Sequence, residues 1–198
     1  MPYLINTRLV LACCLPLLVS QVHAAINIAG TLTDTDPTTS SRLVRNGVVS
    51  TCAAPKGFPG TFGIGPFAYD THTAYNPGAS QCVTVNVDVD TCGTNVFVAA
   101  YLGSVDPTNL ATNYLADQGG SVTGAFSFIA PANSTIAFLV TSTSSVPTSC
   151  SYTITSTELM PTQAASLPVQ AVPTLTECTL LLLSTLLAGV AFRRVQRR

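Results

Sequence analysis

The chain has no tryptophan, only two histidines, and eight basic against nine acidic side chains in 198 residues. The little charge it has is unevenly placed. Over residues 25–177 the basic side chains are Arg42, Arg45 and Lys56. The acidic ones are Asp34, Asp36, Asp70, Asp88, Asp90, Asp106, Asp117, Glu158 and Glu177, so three against nine leaves a net of −6. The whole-chain value of −1 hides this, because Arg8 and four C-terminal arginines offset it. An acidic body without a basic stripe excludes nucleic acid as a partner, since that binding rests on Lys and Arg neutralising phosphates.

Catalytic signatures are equally sparse. Beyond residue 24 there is one histidine, His72, in "AYDTHTAY". Asp70 and His72 would share one face of a strand, and a serine would complete a triad with them. No Gly-x-Ser-x-Gly elbow is present to supply it. A lone histidine beside "NPG" is expected at an exposed edge or loop, so no catalytic residues are assigned and the chain is expected not to be an enzyme. With one histidine and no Cys-x-x-Cys pair, a zinc site is not expected either.

What is present begins with the two ends. Residues 1–24, "MPYLINTRLVLACCLPLLVSQVHA", place Arg8 before an apolar stretch over residues 9–19 and small residues at Val22-x-Ala24. That is the layout of a removable secretory signal, to be handled by signal peptidase and the secretion machinery. Cys13 and Cys14 follow "VLA", but a lipoprotein box there would leave only residues 9–12 as its apolar region, so ordinary cleavage is expected. At the other end, residues 175–192 form an 18-residue uncharged or weakly charged apolar run. That is near the lower limit for a membrane helix, which needs roughly 20. Arg193, Arg194, Arg197 and Arg198 follow it and should stay cytoplasmic, which places the body on the far side of the inner membrane.

The order Val172, Pro173, Thr174, Leu175, Thr176, Glu177, then the apolar run, then the arginine-rich tip, resembles the IPTL-CTERM sorting signal of Gram-negative bacteria. Val172 stands where that signal commonly has Ile, and Cys178 where it commonly has Trp. The resemblance implies recognition by an exosortase-type membrane enzyme that removes the tail and releases or transfers the protein to the surface. The sorting residues it assigns are Val172, Pro173, Thr174, Leu175 and Glu177.

Between the ends lies one domain's length of chain. Helical signals are scarce, and short runs such as "INIAGTLT", "CVTVNVDVD", "GAFSFIA" and "CSYTITS" are separated by "NPGAS", "DQGGS" and "APANS". Such spacing predicts a single all-β domain, an antiparallel β-sandwich of jelly-roll type. Its expected bounds are residues 25–158, with a linker over 159–171 and the sorting tail over 172–198. Val83, Val85, Val87 and Val89 should face the core, with Thr84, Asn86, Asp88 and Asp90 in water. Residues 136–140 are apolar throughout and should form a central strand. Segments such as "AYLGS", "YLADQG" and "CSYT" also loosely resemble the pre-peptidase C-terminal domains of secreted bacterial proteases, which implies an exported fold with ligand binding as an option.

Four cysteines fall in this domain, Cys52, Cys82, Cys92 and Cys150. In an exported domain they suggest two disulfides with three possible connectivities. Adjacency of loop ends favours Cys52 with Cys82 and Cys92 with Cys150. The pairs Asp34/Asp36 and Asp88/Asp90 are the calcium candidates, but calcium takes about 6–8 oxygen ligands, so solvent-facing strand carboxylates are expected instead. No metal or other cofactor is assigned. Asp106 and Asp117 read as turn residues. Tyr69, Tyr75, Tyr101, Tyr114, Tyr152, Phe58, Phe62 and Phe67 are numerous enough for a glycan-stacking platform, although core packing is the expected use. The functional expectation is an exported protein of the cell surface or extracellular matrix with a non-catalytic domain. The alternative is a module binding glycan, protein or calcium, or an accessory domain of secreted hydrolytic machinery, with surface polysaccharide as a possible partner.

Overall fold

Alternation of small apolar and polar residues sets the strands. The computed structural model describes residues 25–144 and 149–162. Within them the strands are β1 (Ile26–Leu32), β2 (Thr38–Thr39), β3 (Arg42–Leu43), β4 (Thr61–Phe62), β5 (Phe67–Asn76) and β6 (Gln81–Asp88). They continue as β7 (Val96–Leu102), β8 (Tyr114–Asp117), β9 (Gly124–Ala130), β10 (Ser134–Ser142), β11 (Cys150–Ser156) and β12 (Met160–Pro161). One short 3-10 segment, Asp90–Asn95, joins β6 to β7.

Two antiparallel sheets hold the long strands. The first has the order β1-β11-β6-β9, and the second β5-β10-β7-β8 with β12 and β2 pairing on β5. Strands β3 and β4 form a separate pair. In β6 every second residue is buried: Val83, Val85 and Val87 lie inside while Thr84, Asn86 and Asp88 are exposed. Their inward faces join Phe126 and Phe128 of β9 and Ile154 of β11. The same cluster takes Ala68 and Ala74 of β5, Val96 and Val98 of β7, and Ile136, Phe138 and Val140 of β10. Both sheets therefore contribute to one hydrophobic interior.

The opposite face of the second sheet is covered as well. Phe97, Ala99 and Tyr101 of β7 and Ala137 and Leu139 of β10 pack with Leu43 and Leu110, flanked by Phe58, Tyr69, Val105 and Tyr114. Burial on both faces is why residues 136–140 carry no polar side chain, and β10 does lie between β5 and β7.

The strand ladder continues past residue 158. Leu159 is fully buried in the interior cluster, and Met160 and Pro161 pair with Tyr75 and Ala74. The apolar side chain at 159 is what keeps this segment on the body, and residues 159–162 are thus not linker. Disulfides join Cys52 to Cys82 and Cys92 to Cys150, across 30 and 58 residues of sequence. The first ties the segment after β3 to β6, and the second ties the 3-10 segment to the start of β11. Among the described residues no helix is long and apolar enough to cross a membrane. The expected secretory signal at 1–24, the linker beyond 162 and the apolar run at 175–192 lie outside the described residues.

Candidate functional site

Strand β5 turns Ala68, Asp70, His72, Ala74 and Asn76 to the same side, so Asp70 and His72 point toward the space between the sheets. They do so where β5 lies near the margin of its sheet, opposite β1. From β11 the Tyr152 side chain reaches them. Gly30 of β1 is its register partner, and a Cβ at that position would come 2.3 Å from Tyr152 Cζ and 2.3 Å from Oη. The absent side chain is what lets the phenol cross over β1.

The Tyr152 hydroxyl donates to Asp70 Oδ2 at 2.7 Å and lies 2.7 Å from His72 Nε2, while His72 Nε2 and Asp70 Oδ2 are 3.2 Å apart. Burial, then the hydrogen bond to Asp70, pushes the phenol well above its ordinary value. With the phenol proton directed at Asp70, the hydroxyl oxygen is free to accept from His72 in the tautomer that carries its hydrogen on Nε2. The side chains of His72 and Asp70 are 20% and 34% exposed, so His72 is neither isolated nor on a flat outer face. Its partners among the described residues include no serine or cysteine, and Asp70 Oδ1 accepts from the Thr71 amide. The arrangement is a clasp between the two sheets, and Tyr152 is the member that periodicity alone does not reveal. A glycine inside the alternating "INIAGTLT" is the signal that could have pointed to it, since mid-strand glycine often marks close approach.

A second network lies beyond the other face of the second sheet. Lys56 Nζ is 2.6 Å from Asp117 Oδ1, with side chains 7% and 0% exposed. The ammonium also donates to Asn46 Oδ1 and the Val48 carbonyl, both at 2.8 Å. Asp117 Oδ1 accepts the Gly119 amide at 2.7 Å, and Oδ2 accepts the Tyr114 hydroxyl at 2.6 Å. Phe58 and Tyr101 meet Tyr114 edge-on, with centroids 5.6 and 6.0 Å away. Burial, then the bond to Asp117, raises Tyr114. Asp117 does cap its own turn as expected for "ADQGG", but its carboxyl group is also fully buried against Lys56. Lys56 is the only lysine of the sequence, and nothing in its local surroundings announces its burial.

Three of the four calcium candidates are engaged with nearby amides or with hydroxyls. Asp36 Oδ2 accepts the Thr33 amide at 2.6 Å in the turn after β1. Asp88 Oδ1 accepts the Asp90 amide at 3.1 Å and the Thr123 hydroxyl at 3.0 Å. Asp90 is bonded to Ser151 and has a positive φ of 36°. Asp34 and Asp36 thus sit in a turn, and β6 ends at Asp88, so neither pair shares a strand face: Asp36 bonds back to the Thr33 amide and Asp88 forward to the Asp90 amide, and the chain bends at both places. Among the described residues no group of three or more His, Cys, Asp or Glu could hold a metal ion. The aromatics are mostly packing: Tyr101, Tyr152 and Phe67 are buried, and Phe62 is exposed beneath the Arg42 guanidinium, 4.8 Å from its centroid.

Residues 170–197 match the family model of the IPTL-CTERM motif. No curated protein and no solved structure matches the chain. The protein carries an IPTL-CTERM sorting motif, and that motif marks an exported, surface-directed protein sorted through its C-terminus and implies processing by an exosortase-type enzyme. Val172, Pro173, Thr174, Leu175, Glu177, Arg193, Arg194, Arg197 and Arg198 lie outside the described residues.

Proposed function

We propose that the protein is an exported component of the cell surface or extracellular matrix, whose β-sandwich is a structural, non-catalytic module delivered by its tail. Residues 1–24 are removed during secretion. The run at 175–192 then holds the chain in the inner membrane, with Arg193, Arg194, Arg197 and Arg198 in the cytoplasm, until an exosortase-type enzyme cuts near Val172–Glu177. The observation that carries this reading is the motif match at 170–197. The jelly-roll assignment is supported by the strand order: taken as eight long strands, the sheets run 1-8-3-6 and 2-7-4-5, successive strands mostly alternating between layers. A non-catalytic role is supported by the partners of His72 among the described residues, Tyr152 and Asp70, which bring no serine or cysteine nucleophile to it. Intact mass and C-terminal peptide mapping of the protein from its own cells test the proposal. A chain ending within 172–177 is expected, and one still carrying Arg198 would overturn the processing step.

A ligand-binding reading is favoured by one surface. Asn86, Asp88, Thr123, Thr153 and Thr155, together with Val87, Gly124 and Ala125, line a shallow and largely apolar groove of about 390 Å³ at the first sheet. Small hydroxyl and amide groups of this kind suit the hydroxyls of a surface polysaccharide. Binding of cell-surface polysaccharide that Asn86→Ala and Thr155→Ala weaken together would support it, and binding undiminished from that of the unmutated chain would remove it.

A further inference from the structure

A lysine and an aspartate in contact away from water need not remain an ion pair. Each buried charge carries a desolvation cost that their attraction only partly offsets, and proton transfer from ammonium to carboxylate leaves a neutral amine beside a carboxylic acid. At 2.6 Å the two groups are held as reactants at high effective concentration. We propose that Lys56 and Asp117 condense into an intramolecular isopeptide bond, a covalent cross-link between the segment after β3 and the end of β8.

The surrounding donors sit where the reaction needs them. The proton leaving Nζ goes to Oδ1, its nearest acceptor, and the freed lone pair attacks Cγ. Negative charge then gathers on Oδ2, which already receives the Tyr114 hydroxyl at 2.6 Å, a donor placed as in an oxyanion site. Oδ1, bonded to the Gly119 amide, takes a second proton from the nitrogen and departs as water. One C–N bond forms, one C–O bond breaks and one water is released, with no oxidant or reductant required. The remaining amide N–H keeps one acceptor from the pair Val48 O and Asn46 Oδ1, which both face Nζ, and Oδ2 becomes the amide carbonyl facing Tyr114. Phe58, Tyr101 and Tyr114 line the surroundings with apolar rings. Unlike the two disulfides, this link would survive a reducing environment. The inference is independent of how the tail is processed.

The unusual composition makes the test clean. Arg45 and Lys56 are consecutive trypsin sites, and no Lys or Arg follows before Arg193. The mature protein from its own cells is denatured, reduced and digested with trypsin. Trypsin is expected to spare the acylated Lys56, so that the peptide 46–56 is not released. Chymotrypsin is then expected to yield a branched peptide joining Lys56 to Asp117, lighter by one water than its two arms. Release of the 46–56 peptide with no branched product, from protein that had both disulfides intact, would overturn the proposal and leave an ordinary buried ion pair. Lys56→Arg keeps the charge without an acylable amine and should show no branch. If that variant fails to fold, the digest of the unmutated protein still decides.

Discussion

Gly30 stands opposite Tyr152 in the β1–β11 ladder, where a Cβ would come 2.3 Å from the phenol. Gly30→Ala must therefore displace the ring and break its bonds to Asp70 and His72. Overpacking of this kind costs about 1–3 kcal/mol, and urea unfolding should show the loss; an unchanged midpoint would mean that the ring has another route. Tyr152→Phe leaves Asp70 and His72 without their central partner and should cost about 1–3 kcal/mol. The pH dependence follows from the same group. Burial and Asp70 raise the Tyr152 phenol, and burial and Asp117 raise that of Tyr114. The folded chain thus keeps protons that the unfolded chain releases near pH ~10. Their contribution is present below that value and is lost as pH rises through it toward the folded-state pKa. Stability should decline above about pH 10, less steeply in Tyr152→Phe, and an identical slope in that variant would assign the titration to other groups.

Among the elements, the short β12 pairs with β5 and is anchored by one buried side chain beside it. Leu159 is fully buried although it follows the exposed Thr157 and half-buried Glu158. Leu159→Ala should cost about 2–5 kcal/mol, as for other buried leucines, and calorimetry of the full chain measures it. A loss no larger than that of a surface substitution would show that β12 adds nothing to the body. The Cys92–Cys150 bond fixes the turn at Asp90–Asn95 against β11, where Thr91 also meets Ser151 at 2.8 Å. Replacing both cysteines by serine is expected to cost about 2–5 kcal/mol. β10 and β7 are buried on both faces, with apolar packing against each side of their ladder.

For the whole molecule, the tail and the body answer different questions. The motif at 170–197 concerns delivery, while the two sheets present a surface. If delivery resides in the tail alone, residues 170–198 grafted onto an unrelated exported reporter should bring about the same C-terminal cut in the native cells. A reporter recovered with its arginines intact would show that the body takes part in recognition.

What the sequence determined by itself is what is written locally. Alternation over two residues made β6 a half-buried strand, continuous apolarity made β10 a central one, and the order of motif, apolar run and arginines spelled out the sorting tail. Four cysteines in an exported body announced two cross-links. Which distant residues meet depends on strand order and on the packing of the two layers. Tyr152 finds Asp70 and His72 across 82 and 80 positions, and Lys56 finds Asp117 across 61. The turn at "TDTDP" and the bend at Asp90 likewise overrode a strand pattern, because carboxylates bonding to nearby amides compete with the ladder. Periodicity reports which way a side chain points relative to its neighbours in sequence. It carries no information about what stands on the facing sheet, since that depends on strand order and on how the two layers are brought together.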